Sequence, residues 1–116
     1  MKSFQFQRQT RSKYNNQKTP YNGVVYDSAK EAQYARTLDT LRRAVDKKEK
    51  VVGVQRQAPY PIFIKKKLVC TYLLDFLVKF ADGHTEHIDV KGMKTDMYRL
   101  KKKMVKAYYG IDILER

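Results

Sequence analysis

Cysteine is nearly absent: Cys70 stands alone, which excludes an intrachain disulfide scaffold and a cysteine-ligated zinc site within one chain. It falls in a strand-like run and reads as a small buried hydrophobe. Histidine is scarce too. With only His84 and His87, no helical two-His metal motif can be assembled, and neither has a Ser or Cys nucleophile at a telling spacing. No apolar run approaches the roughly 20 residues that cross a bilayer, and the opening MKSFQFQRQT lacks the apolar stretch of a signal peptide. Export is therefore not expected, and the cytoplasm is the expected location. Negative charge is the last shortage: 12 Asp+Glu face 25 Lys+Arg, leaving +13, well beyond what solubility requires. Such an imbalance points to a polyanion as partner. A membrane surface would attract the same charge, but it wants a basic amphipathic helix with a spare apolar face. The basic helix identified below needs that face for the core.

What is present suits one compact domain with a modest core, since the chain has 116 residues. Residues 1–19 carry five basic side chains, no acid and many amides, and read as a mobile basic arm, which leaves 20–116 as the single domain. Asn22-Gly23 between apolar residues is a hairpin turn signal. From 28 to about 45 the pattern is helical, with Ala32, Ala35, Leu38, Leu41 and Val45 at three- and four-residue spacing. Ser28 followed by Glu31 has the form of a capping box, and Lys47, Lys48 and Lys50 near the expected end suit the helix dipole. Residues 51–57 read as a strand, followed by a segment bracketed by Pro59 and Pro61, a short stretch 62–64, and a solvated loop or edge at Lys65, Lys66 and Lys67.

A long strand over 68–80, broken in polarity chiefly by Asp75, turns at Ala81-Asp82-Gly83 and returns over 85–91. Loop length decides the pairing. A two-residue loop would set Asp75 against Val90, whereas a three-residue loop, with Gly83 left-handed at its third position, sets Asp75 directly across from Asp89. Glycine at that third position favours the longer loop. Thr95 or Asp96 then caps a second helix to about Tyr109, Gly110 stops it, and 111–114 closes as a strand. Strand, helix, strand implies a right-handed crossover to a parallel neighbour. The expected class is α/β in the α+β, mixed-sheet sense, in the order α-β-β-β-α-β.

The stretch EHIDVKG at 86–92 puts an acid and a lysine two positions apart on a strand. Such a triplet is expected about once by chance in a charged chain of this size. A surface ion pair would account for Asp89 and Lys91 taken alone. Asp75, however, lies mid-strand among Leu73, Leu74, Phe76 and Leu77, where an unpaired carboxylate would cost on the order of several kcal/mol in desolvation. Facing Asp89, it leaves two acids to share Lys91. A divalent cation resolves the imbalance, and hard carboxylate oxygens select Mg²⁺ or Mn²⁺ over zinc. Glu31 serves either as the third residue of the capping box or, projecting at the edge of the buried helix face, as a further acid for that site. His87 shares a strand face with Asp89 and Lys91 and reads as accessory. Tyr34, Tyr72 and Tyr108 fit core positions.

Glu31, Asp75 and Asp89-Val90-Lys91, in that order on helix, strand and returning strand, resemble the PD-(D/E)XK nuclease superfamily. The runs YDSAKEAQYA, VQRQAPY, LLDFLVKFADG, HIDVKGMKTDMYRLKKK and YYGIDI resemble, more narrowly, a group of small phage-associated nucleases of the Holliday junction resolvase type, over about residues 21–114. Leu74 stands where the superfamily signature carries proline. The resemblance implies a restriction-endonuclease-like core and catalytic roles for Glu31, Asp75, Asp89 and Lys91. It also implies Mg²⁺, with Mn²⁺ as a substitute, held by Asp75, Asp89, Glu31 and the Val90 carbonyl. Gln57 is expected to line the site. Branched DNA becomes the expected partner, gripped without sequence readout by Arg99, Lys101, Lys102, Lys103 and Lys106, with Lys65–Lys67 and the N-terminal arm assisting. Symmetric cutting of a junction implies a homodimer in a phage or bacterial host. The competing readings are a phage nuclease of nicked, flapped or linear DNA, and a non-catalytic nucleic-acid-binding protein.

Overall fold

The computed structural model describes residues 17–116, so most of the expected basic arm lies outside the described residues. Two compact units divide the chain, one reaching Thr37 and the other running from Leu38 to Arg116.

In the first unit, β1 (Thr19–Tyr21) and β2 (Val24–Tyr26) pair antiparallel. The expected Asn-Gly turn joins them, with Asn22 and Gly23 both left-handed at φ 52 and 82. Helix α1 (Ala29–Leu41) follows. Its start is a cap: the Glu31 N–H donates to Ser28 Oγ at 3.1 Å, and the Ser28 hydroxyl reaches Glu31 Oε1 at 3.5 Å. Ala32 and Ala35 are buried, as their spacing predicted, and the Arg36 guanidinium lies 4.7 Å over the Tyr21 ring. The helix ends earlier than its apolar spacing suggested. Arg42, Arg43 and Ala44 close i→i−3 bonds, and Asp46 then folds the chain back on itself through its carboxylate and its carbonyl. Val45 is consequently 97% exposed, and Lys47, Lys48 and Lys50 sit in this turn rather than on a helix end.

The second unit is built on a four-stranded mixed sheet in the order β3-β4-β5-β6. What read as a strand, a proline segment and a short stretch is one strand, β3 (Val51–Ile64). Pro59 and Pro61 survive inside it because β3 is an edge strand. Being two residues apart, both present their missing N–H to the same unpaired side. Antiparallel to it runs β4 (Lys67–Phe80), across a two-residue turn at Lys65-Lys66. The returning strand β5 (Thr85–Asp89) pairs Phe76 with Ile88 through Lys79 with Thr85, so the loop is 81–83 and Gly83 is left-handed at φ 97. It ends two residues before the expected limit, leaving Val90 and Lys91 just past the strand.

Helix α2 (Asp96–Tyr109) carries both predicted caps: Thr95 Oγ accepts from the Tyr98 N–H at 3.1 Å, and Gly110 at φ 75 donates to the Lys106 carbonyl. Strand β6 (Ile113–Glu115) then lies parallel to β5, shifted toward the C-terminus from the expected 111–114. Ala58, Ile62, Tyr72 and Leu74 of the long hairpin form one apolar cluster with Tyr98, Val105 and Ile113. Full burial of a side chain such as Leu74 or Val105 contributes about 1.5–3 kcal/mol. Tyr72 is buried as expected and Tyr34 partly so, but Tyr108 is exposed, its ring edge-on to Tyr109 at 4.9 Å. Among the described residues the fold is thus mixed α+β with two helices. No helix among the described residues is long and apolar enough to cross a membrane.

Candidate active site

The register of β4 and β5, continued one step past Phe76 and Ile88, brings Asp75 directly across from Asp89, as the three-residue loop predicted. Each acid is tied to the backbone of the opposite chain segment. The Asp75 N–H donates to Asp89 Oδ1 at 3.2 Å, and the Val90 N–H donates to Asp75 Oδ2 at 2.9 Å. These bonds fix both carboxylates side by side in place of the next rung of the ladder. Asp89 is fully buried at 0% exposure, and its second oxygen, Oδ2, has no hydrogen-bond partner.

Burial pushes the Asp89 carboxyl above the ordinary aspartate range, with Lys91 and the Asp75 N–H pulling it back and Glu115 pushing it further up. Although it lies beyond the strand, Lys91 still faces Asp89 electrostatically. Its ammonium sits 4.7 Å over the Tyr98 ring.

Across the sheet these residues belong to a row. The pairs Arg56 with Phe76 and Ala58 with Leu74 bracket Gln57 opposite Asp75, and β6 sets Glu115 opposite Asp89. Gln57, Asp75, Asp89 and Glu115 therefore occupy one level of all four strands. Gln57 holds φ 53, a left-handed conformation that costs a side-chain-bearing residue about 1–2 kcal/mol. Positions of this kind concentrate at functional sites.

Glu115 was not anticipated. It is the hub of the second half of the site, accepting from the Tyr98 hydroxyl at 2.7 Å and pairing with Lys94 at 3.0 Å and Lys102 at 3.1 Å. The Tyr98 hydrogen bond, then the two lysines, hold its carboxyl down at about 2. Burial, followed by this hydrogen bond, keeps Tyr98 a phenol well above its usual range. A single acid five residues past the glycine that stops the helix gave no local signal. Only its register against Asp89 reveals it.

The basic residues of α2 divide by helix face. Arg99, Lys102, Lys103 and Lys106 recur at three- and four-residue spacing and, with Lys94, line an open groove of about 600 Å³ floored by Ala107, Ile111 and Ile113. Lys101 does not line it. Four of these cations are already engaged, Lys94 and Lys102 with Glu115, Lys106 with Asp112 at 2.8 Å and Arg99 with Asp96 at 3.4 Å. His87 lies edge-on to Tyr60 with ring centres 6.1 Å apart, and burial pushes its pKa down, so it is neutral and packed. Glu31 belongs to the first unit, where it is buried, its N–H capped by Ser28 Oγ and its carboxylate reached by the same hydroxyl.

Among the described residues, no group of three or more His, Cys, Asp and Glu side chains is arranged to hold a metal ion. The pair nevertheless fits Mg²⁺. That ion retains several waters and is commonly bound by one or two carboxylates completed by phosphate, and the orphaned buried Asp89 Oδ2 is a donor of the required kind.

The chain belongs to the family described as "Protein of unknown function (DUF1064)", whose model matches residues 11–113. No curated protein and no solved structure matches it.

Proposed function

We propose that the chain is a metal-dependent endodeoxyribonuclease of the PD-(D/E)XK type, structure-selective for branched DNA. One observation carries the reading: a fully buried aspartate keeps an oxygen without a hydrogen bond beside a second carboxylate. An unmet buried acceptor costs about 1–3 kcal/mol. A fold retains such a cost where the group has a task. The resemblance of Glu31, Asp75 and Asp89-Val90-Lys91 to that superfamily supplies the task.

Asp75 and Asp89, with the Val90 carbonyl, would hold Mg²⁺ or Mn²⁺. Bound there, the ion supplies Lewis-acid polarisation of a phosphodiester. Lys91 neutralises charge that develops on the phosphate, and the Tyr98 ring beneath its ammonium restricts where that charge sits. Glu115 restrains Lys94 and Lys102 at the groove. From there Arg99, Lys103 and Lys106 position the DNA backbone without reading bases, with Lys101 assisting from outside the groove. Two strands cut symmetrically would require a homodimer, and a phage-infected or bacterial cytoplasm would supply the substrate.

The test is cleavage of labelled four-way junction, flap, linear duplex and single-stranded DNA with Mg²⁺ and with Mn²⁺. The native chain is compared with Asp89→Asn, Lys91→Ala and Glu31→Ala. Symmetric junction cutting lost in Asp89→Asn and Lys91→Ala is the expected result. Cutting spread over flaps or linear DNA would keep the nuclease and remove the junction preference. Tight binding with no cutting under either ion would leave a nucleic-acid-binding protein. Glu31→Ala examines what the resemblance implies for the first unit.

A further inference from the structure

The far end of the β3–β4 hairpin is as unusual as the acid pair. Strand β5 pairs with β4 only between Phe76 and Lys79, so the distal part of the hairpin is a two-stranded ribbon. Its last supports are Ile62 in the apolar cluster and the hydrogen bond from the Tyr109 hydroxyl to the Pro61 carbonyl. Beyond them, all seven residues from 63 to 69 are exposed. Four of these, Phe63, Ile64, Leu68 and Val69, are large and apolar, with Phe63 and Leu68 directly opposite each other, and the other three are lysines. A register shift next to Phe63 leaves Val69 as the extra residue of a bulge, a feature that twists a ribbon and re-aims its tip.

The turn itself breaks local preference. Lys65 and Lys66 both hold positive φ, 49 and 70, in a two-residue loop that favours Asn-Gly. The same chain uses Asn-Gly at Asn22-Gly23 for the same purpose, which shows what an unburdened turn looks like here. Two lysines in a left-handed turn are poor folding choices, and four exposed apolar residues beside them are poor solubility choices. Both make sense against one surface: an anionic lattice with apolar steps that can be entered.

We infer that the tip at 63–69 is a DNA wedge, its lysines seated on backbone phosphates and Phe63 and Leu68 inserted at an unstacked branch point. This rests on the DNA partner proposed above and assigns the branch selectivity to a segment separate from the acid pair. Apolar side chains that enter a base step are a recurrent means of holding bent or opened DNA. They gain most where stacking is already broken. The lysines favour a polyanion over a second copy of this chain, whose own tip carries the same three charges.

Binding is measured on Asp89→Asn, so that no cleavage is needed, with a four-way junction carrying aminopurine at the branch and a linear duplex carrying it centrally. The parent raises aminopurine fluorescence at the branch and not in the duplex. Phe63→Ser/Leu68→Ser abolishes the rise and lowers the preference for junction over duplex by about tenfold or more, leaving duplex affinity unchanged. Lys65→Asn/Lys66→Gly, whose turn is better suited to its backbone, weakens junction binding without unfolding the chain. Unchanged preference in both variants would overturn the wedge while leaving the nuclease intact. Loss of a dimer in Phe63→Ser/Leu68→Ser, seen by sedimentation, or its loss of binding to vesicles of anionic phospholipid with junction preference intact, would reassign the surface. A branch-specific rise from a chain whose native form cuts no DNA would keep the wedge and discard the nuclease.

Discussion

The middle and the tip of one hairpin break local rules in opposite ways. Where β5 flanks β4, the fold buries charge: Asp89 is fully buried beside a half-buried Asp75, among Leu74, Phe76 and Ile88, three of the least exposed residues. At the Lys65-Lys66 turn it exposes what folding would hide, Phe63, Ile64, Leu68 and Val69. Between them the ribbon is well formed, with β3 and β4 paired over nearly their whole length. Secondary structure therefore does not distinguish the two places; solvent exposure and chemistry do. A departure from folding logic at one place is an accident of packing, but departures of opposite sign at two places on one continuous ribbon look like two tasks held apart. At about 3.4 Å per residue, Asp75 and Lys66 are on the order of 30 Å apart along β4.

The sharpest way to break that comparison is Asp89→Asn. Cleavage should fall to background while the melting temperature stays level or rises, because a buried carboxylate raised by desolvation is replaced by a neutral amide of the same shape. Lost activity with a lowered melting temperature would make Asp89 a structural residue. Next in size, Leu74→Ala should cost about 2–5 kcal/mol in denaturant unfolding, since the side chain is fully buried. Leu68→Ala, on the exposed tip, should stay within about 0.5 kcal/mol. Similar losses at both would mean the tip is covered in solution.

Smaller again is the turn. Lys65→Asn/Lys66→Gly should raise stability by about 1–2 kcal/mol through relief of two left-handed side-chain-bearing residues. No gain would mean that the lysines carry no backbone cost.

The least effects are in pH. Glu115 has a carboxyl lowered in the folded chain, so its contribution is complete above about 4.5 and is lost as pH falls from there toward about 2. Glu115→Gln should flatten the melting temperature over that range. His84, raised chiefly by its hydrogen bond to Asp82, has the opposite sign: its contribution is complete below about 6.5 and fades as pH rises past its folded value. His84→Asn should remove the small decline in melting temperature above neutrality, and a decline that persists would place it elsewhere.

Much of this was legible in the residues. Ser28, Thr95 and Gly110 marked helix ends, Asn22-Gly23 marked the first turn, and Gly83 decided between two loop lengths and hence between two faces for Asp89. Other readings failed for identifiable reasons. Val45 kept the helical spacing, but Asp46 captured the backbone and ended the helix first. Pro59 and Pro61 suggested an interruption, and only the position of β3 at the sheet edge makes them harmless. Lys101 belonged to the same basic run as Lys102 and Lys103, yet helix phase points it away from the groove.

The sequence by itself determined the caps, the turns, the register of Asp75 against Asp89 and the excess of positive charge. Each is set by the backbone preference of one or two residues, by loop length, or by counting. Only the tertiary structure decided that Glu115 stands beside Asp89 and binds Tyr98, Lys94 and Lys102. Likewise it alone decided that the tip at 63–69 is left uncovered. Both depend on how a crossover returns to the sheet and how far each neighbour extends. Long-range packing settles such matters, because the residues involved carry no local preference for either outcome.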